Sequence, residues 1–349
     1  MREICLPTAA ASSNLEIGMR SFLGTAFELD SFSIVDRPVP EPGPGQLRIR
    51  IAAAALGFVD GLMIQGRYQI KPPLPYVPGG EIAGVVDAVG RDVTSHAVGQ
   101  SVVTWQLGGG LAEHVVVDAV EVDTVPDELS LPMAAAMLVD FQTAHYALFD
   151  QGRLTAADTL LVLGAGGAVA SAAIQLAVHT GARVIAAAAS EQKRDAAYEL
   201  GAMQTIDYSL PNWREALKKV APEGVDVVLD PVGASMLEPA FRSLAKGGRY
   251  LVVGFAGGTI PSLPVNLALL KNATLHGVDI RYFLASRPKL ARRVRNALFA
   301  MAARGDLQPP ATIAFALENA RCAVEALYER DRRGKVLVLP RALAHEMQI

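Results

Sequence analysis

The chain has 349 residues, of which 51% are hydrophobic and 19% are charged, a balance that is typical of globular proteins and excludes a disordered chain. Its 32 basic and 35 acidic residues give a formal net charge of −3, which excludes a broadly basic surface for nucleic acid. Cys5 and Cys322 are the only cysteines, too few for a disulfide scaffold or a multi-cysteine zinc site, and they suit a reducing cytoplasm.

The first residues of the chain carry no regular pattern. Patterned sequence starts near Met19, so residues 1–18 are predicted to form a loose extension. Their apolar stretch is short and is interrupted by Pro7, which disfavours a secretory signal peptide. No apolar run in the sequence approaches the roughly 18–20 residues of a membrane-spanning helix, and we expect a cytoplasmic protein without membrane contact.

Short strand-like segments dominate residues 20–130. They alternate with clusters of proline and glycine, such as those at 38–45 and 71–80. This texture predicts an irregular, mostly β domain of the barrel-like kind. The predicted strands are 46–56, 81–90, 101–104 and 112–117.

Strands and helices alternate from residue 159 onward. Such alternation indicates βαβ units and a parallel, doubly wound sheet of the Rossmann type. After a strand at 274–278 and helices at 288–304 and 317–330, a last strand at 336–339 is expected to return to the first domain. The other predicted strands are 159–163, 183–188, 203–207, 225–230 and 249–253, and the helices between them are 169–180, 191–200, 213–220 and 235–244.

A glycine-rich loop connects the first strand of this alternation to its first helix. It reads Gly-Ala-Gly-Gly over residues 164–167 and leads into Ala168 and Val169. The unsatisfied N–H groups and the positive end of such a helix bind a pyrophosphate, and small residues let phosphates approach the backbone. The alternative is a tight turn without a ligand. The place of the loop at the first βα unit favours a dinucleotide held by Gly166, Gly167, Ala168 and Val169.

The residues after the next strand indicate which dinucleotide is bound. An NAD site usually carries Asp or Glu about 20 residues beyond the loop to bind the ribose hydroxyls, whereas this strand ends in alanines at 186–189. Ser190 and Lys193 follow at once, and Tyr208 ends the next strand. A hydroxyl, an ammonium and a phenol can surround an extra phosphate, which favours NADPH. Alternatively, Lys193 is an exposed lysine at the start of a helix.

Further motifs stand in a characteristic order and spacing. They include Asp60 with Gly66-Arg67-Tyr68, Pro78-Gly79-Gly80-Glu81-x-Ala83-Gly84-Val85, Asp230-x-Val232-Gly233 and Gly334-Lys335-Val336. Together with the glycine loop, they resemble the medium-chain dehydrogenase/reductase superfamily and, within it, the zinc-free quinone oxidoreductase branch. The resemblance covers about residues 19–340.

The resemblance implies an α/β fold in which a Rossmann-type doubly wound parallel sheet is joined to a GroES-like, mostly β, barrel-like catalytic domain. Residues 1–141 and 277–349 would form the GroES-like domain, and residues 142–276 the Rossmann dinucleotide-binding domain. In relatives, an edge strand like 274–278 pairs across a two-fold axis, so we expect a homodimer.

By the same resemblance, Gly167, Ala168 and Val169 touch the pyrophosphate, Ser190, Lys193 and Tyr208 hold the 2′-phosphate, and Thr143, Val253, Gly254 and Phe255 lie along the ribose and nicotinamide.

The metal ligands of the zinc-containing relatives are missing. Where those relatives carry Cys, His and a third ligand, this sequence has Gly57, Gly80 and Val139. A zinc site needs three or four converging N, S or O ligands, and Glu81 alone cannot hold the metal. We therefore expect no metal.

The resemblance implies an enzyme that uses NADPH to transfer a hydride to a small electrophilic acceptor, a quinone, an enone or another activated alkene or carbonyl. Tyr68 is a proton donor or substrate contact, or else a packed loop aromatic. Asp60 is the second candidate catalytic residue; alternatively, it positions its loop or bonds through water to the cofactor. One alternative is a 2-enoyl thioester (enoyl-CoA or enoyl-ACP) reductase with Tyr68 as donor. A second is an NADPH-binding, non-enzymatic protein of the crystallin-like or vesicle-associated kind.

Overall fold

The structure, a computed structural model, describes residues 18–329, 332 and 334–340. The predicted extension therefore lies outside the described residues, except that Gly18 begins the first strand. By its internal packing the chain divides into two compact units. The first comprises the described residues up to Leu138 and from Ala311 onward, and the second comprises Val139–Pro310.

Strands and one short helix form the beginning of the first unit. Its first two strands pair antiparallel, from Gly18 opposite Pro38 to Gly24 opposite Phe32. The elements up to residue 124 are β1 (Gly18–Gly24), β2 (Phe32–Pro38), β3 (Gln46–Leu56), α1 (Phe58–Ile64), β4 (Glu81–Val89), β5 (Ser101–Trp105), β6 (His114–Asp118) and β7 (Val122–Thr124).

Helices and parallel strands then alternate through the second unit. The elements from residue 131 to residue 303 are α2 (Leu131–His145), β8 (Thr159–Leu163), α3 (Ala168–Thr180), β9 (Arg183–Ala187), α4 (Glu191–Glu199), β10 (Gln204–Ile206), α5 (Trp213–Val220), β11 (Val225–Asp230), α6 (Leu237–Phe241), β12 (Leu244–Val252), α7 (Asn266–Lys271), β13 (Thr274–Gly277), α8 (Ile280–Ser286) and α9 (Pro288–Ala303). A π-helical segment, Tyr146–Gln151, continues α2. Within the described residues, no helix combines the length and the apolar character that crossing a bilayer requires.

The last described elements belong to the first unit. They are β14 (Thr312–Ala316), α10 (Ala320–Ala326) and β15 (Lys335–Leu339). Strand β15 lies antiparallel to β3, with Val336 opposite Leu56, and this pairing confirms that the last strand returns to the first domain. The resulting seven-stranded sheet has the order β14-β15-β3-β4-β5-β7, and β6 also pairs with β3.

The second unit is built on a six-stranded sheet whose strands are all parallel. Its order is β10-β9-β8-β11-β12-β13, which confirms the predicted doubly wound Rossmann-type sheet, and the mostly β sheet belongs to a separate unit. Helices cover its faces, and the central strands β8, β9 and β11 are therefore buried nearly throughout, whereas the edge strand β13 is mostly exposed. The strand order reverses between β8 and β11, and ligands of such sheets bind at the carboxyl ends of the strands at that point.

Several sequence-based expectations differ from the structure; for example, the helix predicted at 317–330 is confined to α10, which ends at Ala326. Residues 235–244 are predicted as one helix, but α6 ends at Phe241 because Leu244 already pairs with Val225 at the start of β12. Residues 277–310 are predicted to belong with the GroES-like domain, yet their packing places them in the second unit. There the Gln142 side chain on α2 donates to the carbonyl of Ala291 at 2.9 Å and accepts from Arg295 Nε at 3.1 Å.

A buried ion pair ties the last strand to the first unit. Lys335 Nζ lies 2.6 Å from Glu81 Oε1, and Lys335 is 3% exposed. Ala55 of β3 pairs with Glu81 of β4 on one side and with Leu337 of β15 on the other. Lys335 comes two residues before Leu337, so the two side chains lie on the same face of the sheet. The ion pair therefore links β15 to β4 across the intervening strand β3.

We predict that Lys335→Met lowers the free energy of unfolding by about 3–5 kcal/mol, because a buried carboxylate loses its cation. Urea unfolding followed by circular dichroism measures the change. The matched control is Lys246→Met, since Lys246 is exposed and its loss should change the free energy by less than about 0.5 kcal/mol. Equal stability of the two variants would show that the ion pair does not support the fold.

Candidate functional site

The glycine loop links the carboxyl end of β8 to the N-terminus of α3. Gly164 has a left-handed backbone, with φ +63°, and the N–H of Gly167 donates to the carbonyl of Gly164 at 2.9 Å. Gly167 is the N-cap of α3 and has no side chain with which to cap the first turn. The N–H groups of Ala168 and Val169 therefore stand at the positive end of a 13-residue helix, an arrangement that suits a phosphate.

Lys193 packs on the glycine loop. A Cβ built on Gly166 would lie 2.5 Å from both Cγ and Cδ of Lys193, so the lysine stem occupies space that only a glycine leaves open. Ser190 is the half-buried N-cap of the same helix, α4, and its side chain makes no capping hydrogen bond. The structure thus brings a hydroxyl and an ammonium to the ends of β8 and β9.

No carboxylate follows β9 directly. The carbonyls of Ala188 and Ala189 instead accept from Arg194 Nη1, at 3.0 and 2.8 Å. The same nitrogen lies 3.1 Å from the carboxylate of Asp207, which follows β10, so that acid is paired. Sequence reasoning missed Arg194, although its place directly after Lys193 was a signal that two cations share this helix start.

Tyr208 lies after β10 and packs, half-buried, against the hydrophobic core of the second unit. Burial raises the pKa of its phenol, and the carboxylates of Asp230 and Asp207 raise it further. The hydroxyl therefore stays protonated and can donate a hydrogen bond.

The segment after β12 lies beside the end of β11. The N–H groups of Val253 and Gly254 donate to the carbonyl of Asp230, at 2.9 and 3.3 Å. Phe255 lies against Gly233, because a Cβ built on that glycine would come within 2.8 Å of Phe255 Cδ1. These three predicted cofactor residues thus gather where the strand order reverses.

Thr143 lies on α2 and is buried. Its Oγ1 has no hydrogen-bond partner within the described part of the chain. A buried hydroxyl without a partner costs free energy, so this atom is a place where a ligand can supply the missing bond. An uncapped helix N-terminus, a glycine loop under a lysine stem and this hydroxyl together fit a nicotinamide dinucleotide.

Asp60 and Tyr68 lie in the first unit. Asp60 is buried at the start of α1, where Oδ2 accepts from the N–H of Gly57 at 2.8 Å and Oδ1 from that of Gly79 at 3.1 Å. Burial raises the pKa of Asp60, and these N–H groups and the Lys335 ammonium oppose that rise. Both carboxylate oxygens are thus engaged by the backbone.

Tyr68 follows α1 and is half-buried. Its ring packs against the hydrophobic cluster that contains Met63, Ile64 and Tyr76. The other predicted catalytic residue, Asp60, belongs to the same stretch of chain, while every predicted cofactor residue lies in the second unit.

The positions that hold zinc in metal-containing relatives have a different environment here. A Cβ built on Gly57 would lie 3.7 Å from Glu81 Oε1 and 3.8 Å from Lys335 Nζ, so a charged cluster surrounds this glycine. A Cβ built on Gly80 would lie 2.4 Å from the carbonyl oxygen of Gln106, so a histidine cannot fit there unless the backbone moves. Among the residues that the structure describes, no three His, Cys, Asp or Glu side chains are grouped to hold a metal ion.

Two domain families match the chain. Residues 43–127 match the alcohol dehydrogenase GroES-like domain, and residues 168–296 match the family described as zinc-binding dehydrogenase. These matches fall on the first and second units respectively.

Known proteins resemble the chain over most of its length. It is 38% identical over 286 residues to quinone oxidoreductase-like protein 2 of Bos taurus, which covers 81% of this chain and 82% of that protein. It is 32% identical over 329 residues to the human synaptic vesicle membrane protein VAT-1 homolog, covering 89% of this chain and 84% of that one. The solved structure of a mycobacterial protein complexed with NADPH superimposes with a TM-score of 0.84 at 29% identity, covering 92% of this chain and 100% of that one. The protein therefore belongs to the medium-chain dehydrogenase/reductase superfamily of oxidoreductases, in its zinc-free quinone oxidoreductase branch.

Proposed function

We propose that this protein uses NADPH to reduce a quinone by hydride transfer, without zinc. The observation that carries the proposal is the edge of the parallel sheet, where no carboxylate directly follows β9 and the Lys193 stem lies on the glycine loop. NADPH, when bound, supplies the hydride. Gly166, Gly167, Ala168 and Val169 would hold its pyrophosphate, Ser190, Lys193 and Tyr208 its 2′-phosphate, and Thr143, Val253, Gly254 and Phe255 its ribose and nicotinamide.

A quinone suits the groups that the first unit offers. Once a quinone has accepted a hydride, its negative charge rests on oxygen, and water can protonate that oxygen without a strong general acid. Asp60 is poorly placed as such an acid, because backbone N–H groups engage both of its oxygens. The similarity to a quinone oxidoreductase-like protein supports the same acceptor class.

Tyr68 supports a second candidate reaction, the reduction of a 2-enoyl thioester. There the hydride reaches the β-carbon and a proton must reach the α-carbon, so a phenol hydroxyl held near that carbon would assist. Burial of the ring against its hydrophobic cluster fixes the position of Tyr68 in either reaction.

We also infer that two copies of the chain form a homodimer through the edge of the parallel sheet. Strand β13 ends the sheet order, and the nearby side chains of Leu269, Leu270 and Leu275 are exposed. Pairing of β13 with its symmetry mate would join the two sheets and cover these side chains.

The cofactor proposal predicts a selective effect of Lys193→Met, which keeps the stem on Gly166 and removes the charge. The dissociation constant of NADPH should rise about 10- to 150-fold, the contribution of one charge-assisted hydrogen bond, while that of NADH should barely change. Isothermal titration calorimetry measures both constants. Equal losses for NADPH and NADH would show that Lys193 does not contact the 2′-phosphate, and a wild type that prefers NADH would refute the cofactor assignment.

The absence of zinc from the mechanism is tested by elemental analysis. Purified protein should hold far less than one zinc per chain, and a chelator should leave its rate unchanged. Gly57→Cys should not acquire zinc either, because the carbonyl of Gln106 fills the space that a ligand at Gly80 would need. One tightly bound zinc per chain, lost together with activity, would contradict the proposal.

Tyr68→Phe distinguishes the two reactions, because it removes only a hydroxyl. If a quinone is the acceptor, we expect a rate loss under about tenfold, the size of one neutral hydrogen bond. If an enoyl thioester is the substrate, the missing donor should cost about 10²- to 10⁴-fold. We expect the first result, with Tyr198→Phe as the control, since Tyr198 is exposed in the second unit. A wild type that reduces enoyl thioesters far better than quinones, and loses that activity in Tyr68→Phe, would establish the second reaction.

Light scattering tests the dimer. The wild type should have the mass of two chains, and Leu275→Lys, which places a charge on the edge strand, should shift the protein towards one chain. A wild type with the mass of a single chain in dilute solution would exclude this assembly.

A further inference from the structure

A buried carboxylate stands where the order of the parallel sheet reverses. Asp230 is the last residue of β11, the strand beside β8, and its side chain is fully buried. A carboxylate in such a place is costly unless fixed donors surround it, so its partners indicate what it does.

Three donors surround the Asp230 carboxylate. Oδ1 accepts from the N–H groups of Val232 and Gly233, at 2.8 and 2.9 Å, and Oδ2 accepts from the hydroxyl of Tyr250 at 2.7 Å. Tyr250 lies on β12 and is itself fully buried, with its ring packed against Phe241. Burial raises the pKa of Asp230, and the three donors oppose that rise because they stabilise the anion.

The main chain at Asp230 holds a second loop. Its carbonyl accepts from the N–H of Val253 at 2.9 Å, and the carbonyl of Val232 accepts from the N–H of Gly257 at 2.8 Å. The loop 231–233 after β11 and the loop 253–257 after β12 are therefore joined into one hydrogen-bonded unit.

This pair of loops touches the glycine loop. A Cβ built on Gly164 would lie 2.8 Å from Cγ2 of Val232, and Gly164 has φ +63°. On the other side, Gly233 lies against Phe255 and also has φ +63°. Val232 thus fills the space that a side chain at Gly164 would occupy, so Val232 cannot move towards the glycine loop unless that loop also moves.

We propose that Asp230 and Tyr250 are a positioning pair, which fixes loops 231–233 and 253–257 against the glycine loop and so sets the affinity for both nicotinamide dinucleotides. The inference rests on the proposed function, since it assumes that the glycine loop holds such a cofactor. Neither side chain has to touch the cofactor. Because the effect of these loops does not depend on the 2′-phosphate, loss of the pair should weaken the binding of NADPH and of NADH by the same factor. Loss of the Lys193 charge should instead weaken mainly the binding of NADPH.

The test compares Tyr250→Phe, which removes one hydroxyl, with Asp230→Ala, which removes the acceptor of three bonds. A fully lost hydrogen bond to a charged group corresponds to about 10- to 150-fold in affinity, and the loops keep their main-chain bonds. We therefore expect both dissociation constants to rise roughly 3- to 30-fold in Tyr250→Phe, with their ratio unchanged. The loss in Asp230→Ala should be larger. Titration calorimetry measures each constant.

Two further variants separate positioning from a general loss of structure. Asp230→Asn keeps an acceptor for the loop N–H groups and a donor for the Tyr250 oxygen, so it should restore most of the affinity. Tyr146→Phe is the matched control, because its hydroxyl accepts from Gln151 Nε2 at 2.7 Å elsewhere in the same unit. Its two dissociation constants should equal those of the wild type.

Hydrogen exchange of the ligand-free protein gives an independent readout. The amides of Val232 and Gly233 should exchange at least about tenfold faster in Tyr250→Phe than in Tyr146→Phe, because the acceptor of their hydrogen bonds is less firmly held. This measurement uses the conservative variant Tyr250→Phe, so it can be made even if Asp230→Ala does not fold.

Unchanged affinity and unchanged exchange in Tyr250→Phe would overturn the positioning role, and so would a loss confined to NADPH. A wild type that binds neither dinucleotide would overturn the proposed function instead. In that event the amide exchange would still support or refute the effect of the pair on its loops.

Discussion

A carboxylate taken out of water must meet donors in fixed positions, and three such carboxylates organise the two units. Asp60 and Glu81 are buried in the first unit and Asp230 in the second. Backbone N–H groups hold Asp60, the Lys335 ammonium holds Glu81, and a phenol and two N–H groups hold Asp230. Each carboxylate has at least one donor from another segment: Gly79 for Asp60, Tyr250 for Asp230 and Lys335 for Glu81. Satisfying each carboxylate therefore fixes which segments meet.

This constraint bears directly on the chemistry. Around Gly57, where zinc relatives carry a ligand, the Lys335 ammonium pairs with Glu81 and also opposes the rise that burial causes in the pKa of Asp60, and the carbonyl of Gln106 closes the space at Gly80. The charged groups here therefore stabilise one another and hold loops. Such a site suits a reaction in which the cofactor carries the hydride and the product keeps its charge on oxygen, because that reaction requires no strong general acid from the protein.

Local pattern was enough to predict β3, β8, α5 and β11 with the bounds that the structure has, because each is a continuous patterned run between residues that break it. The glycine loop and the alanines after β9 were equally readable, since their meaning depends on neighbours in sequence. Contacts between distant parts of the chain could not be predicted from the local pattern. Lys335 and Glu81 are 254 positions apart, and a lone tyrosine inside a strand gives no sign that it will meet Asp230. Leu244 likewise looked helical, because its pairing with Val225 is a property of the sheet.

Reduction of a quinone with NADPH can be measured by following reduced-nicotinamide absorbance with a panel of quinones, enones and enoyl thioesters. We expect quinone-dependent oxidation of NADPH well above the rate without acceptor, slower oxidation of NADH, and no response to added zinc. Tight binding of NADPH with no turnover across the whole panel would contradict this expectation. That result would favour an NADPH-binding protein without enzymatic turnover.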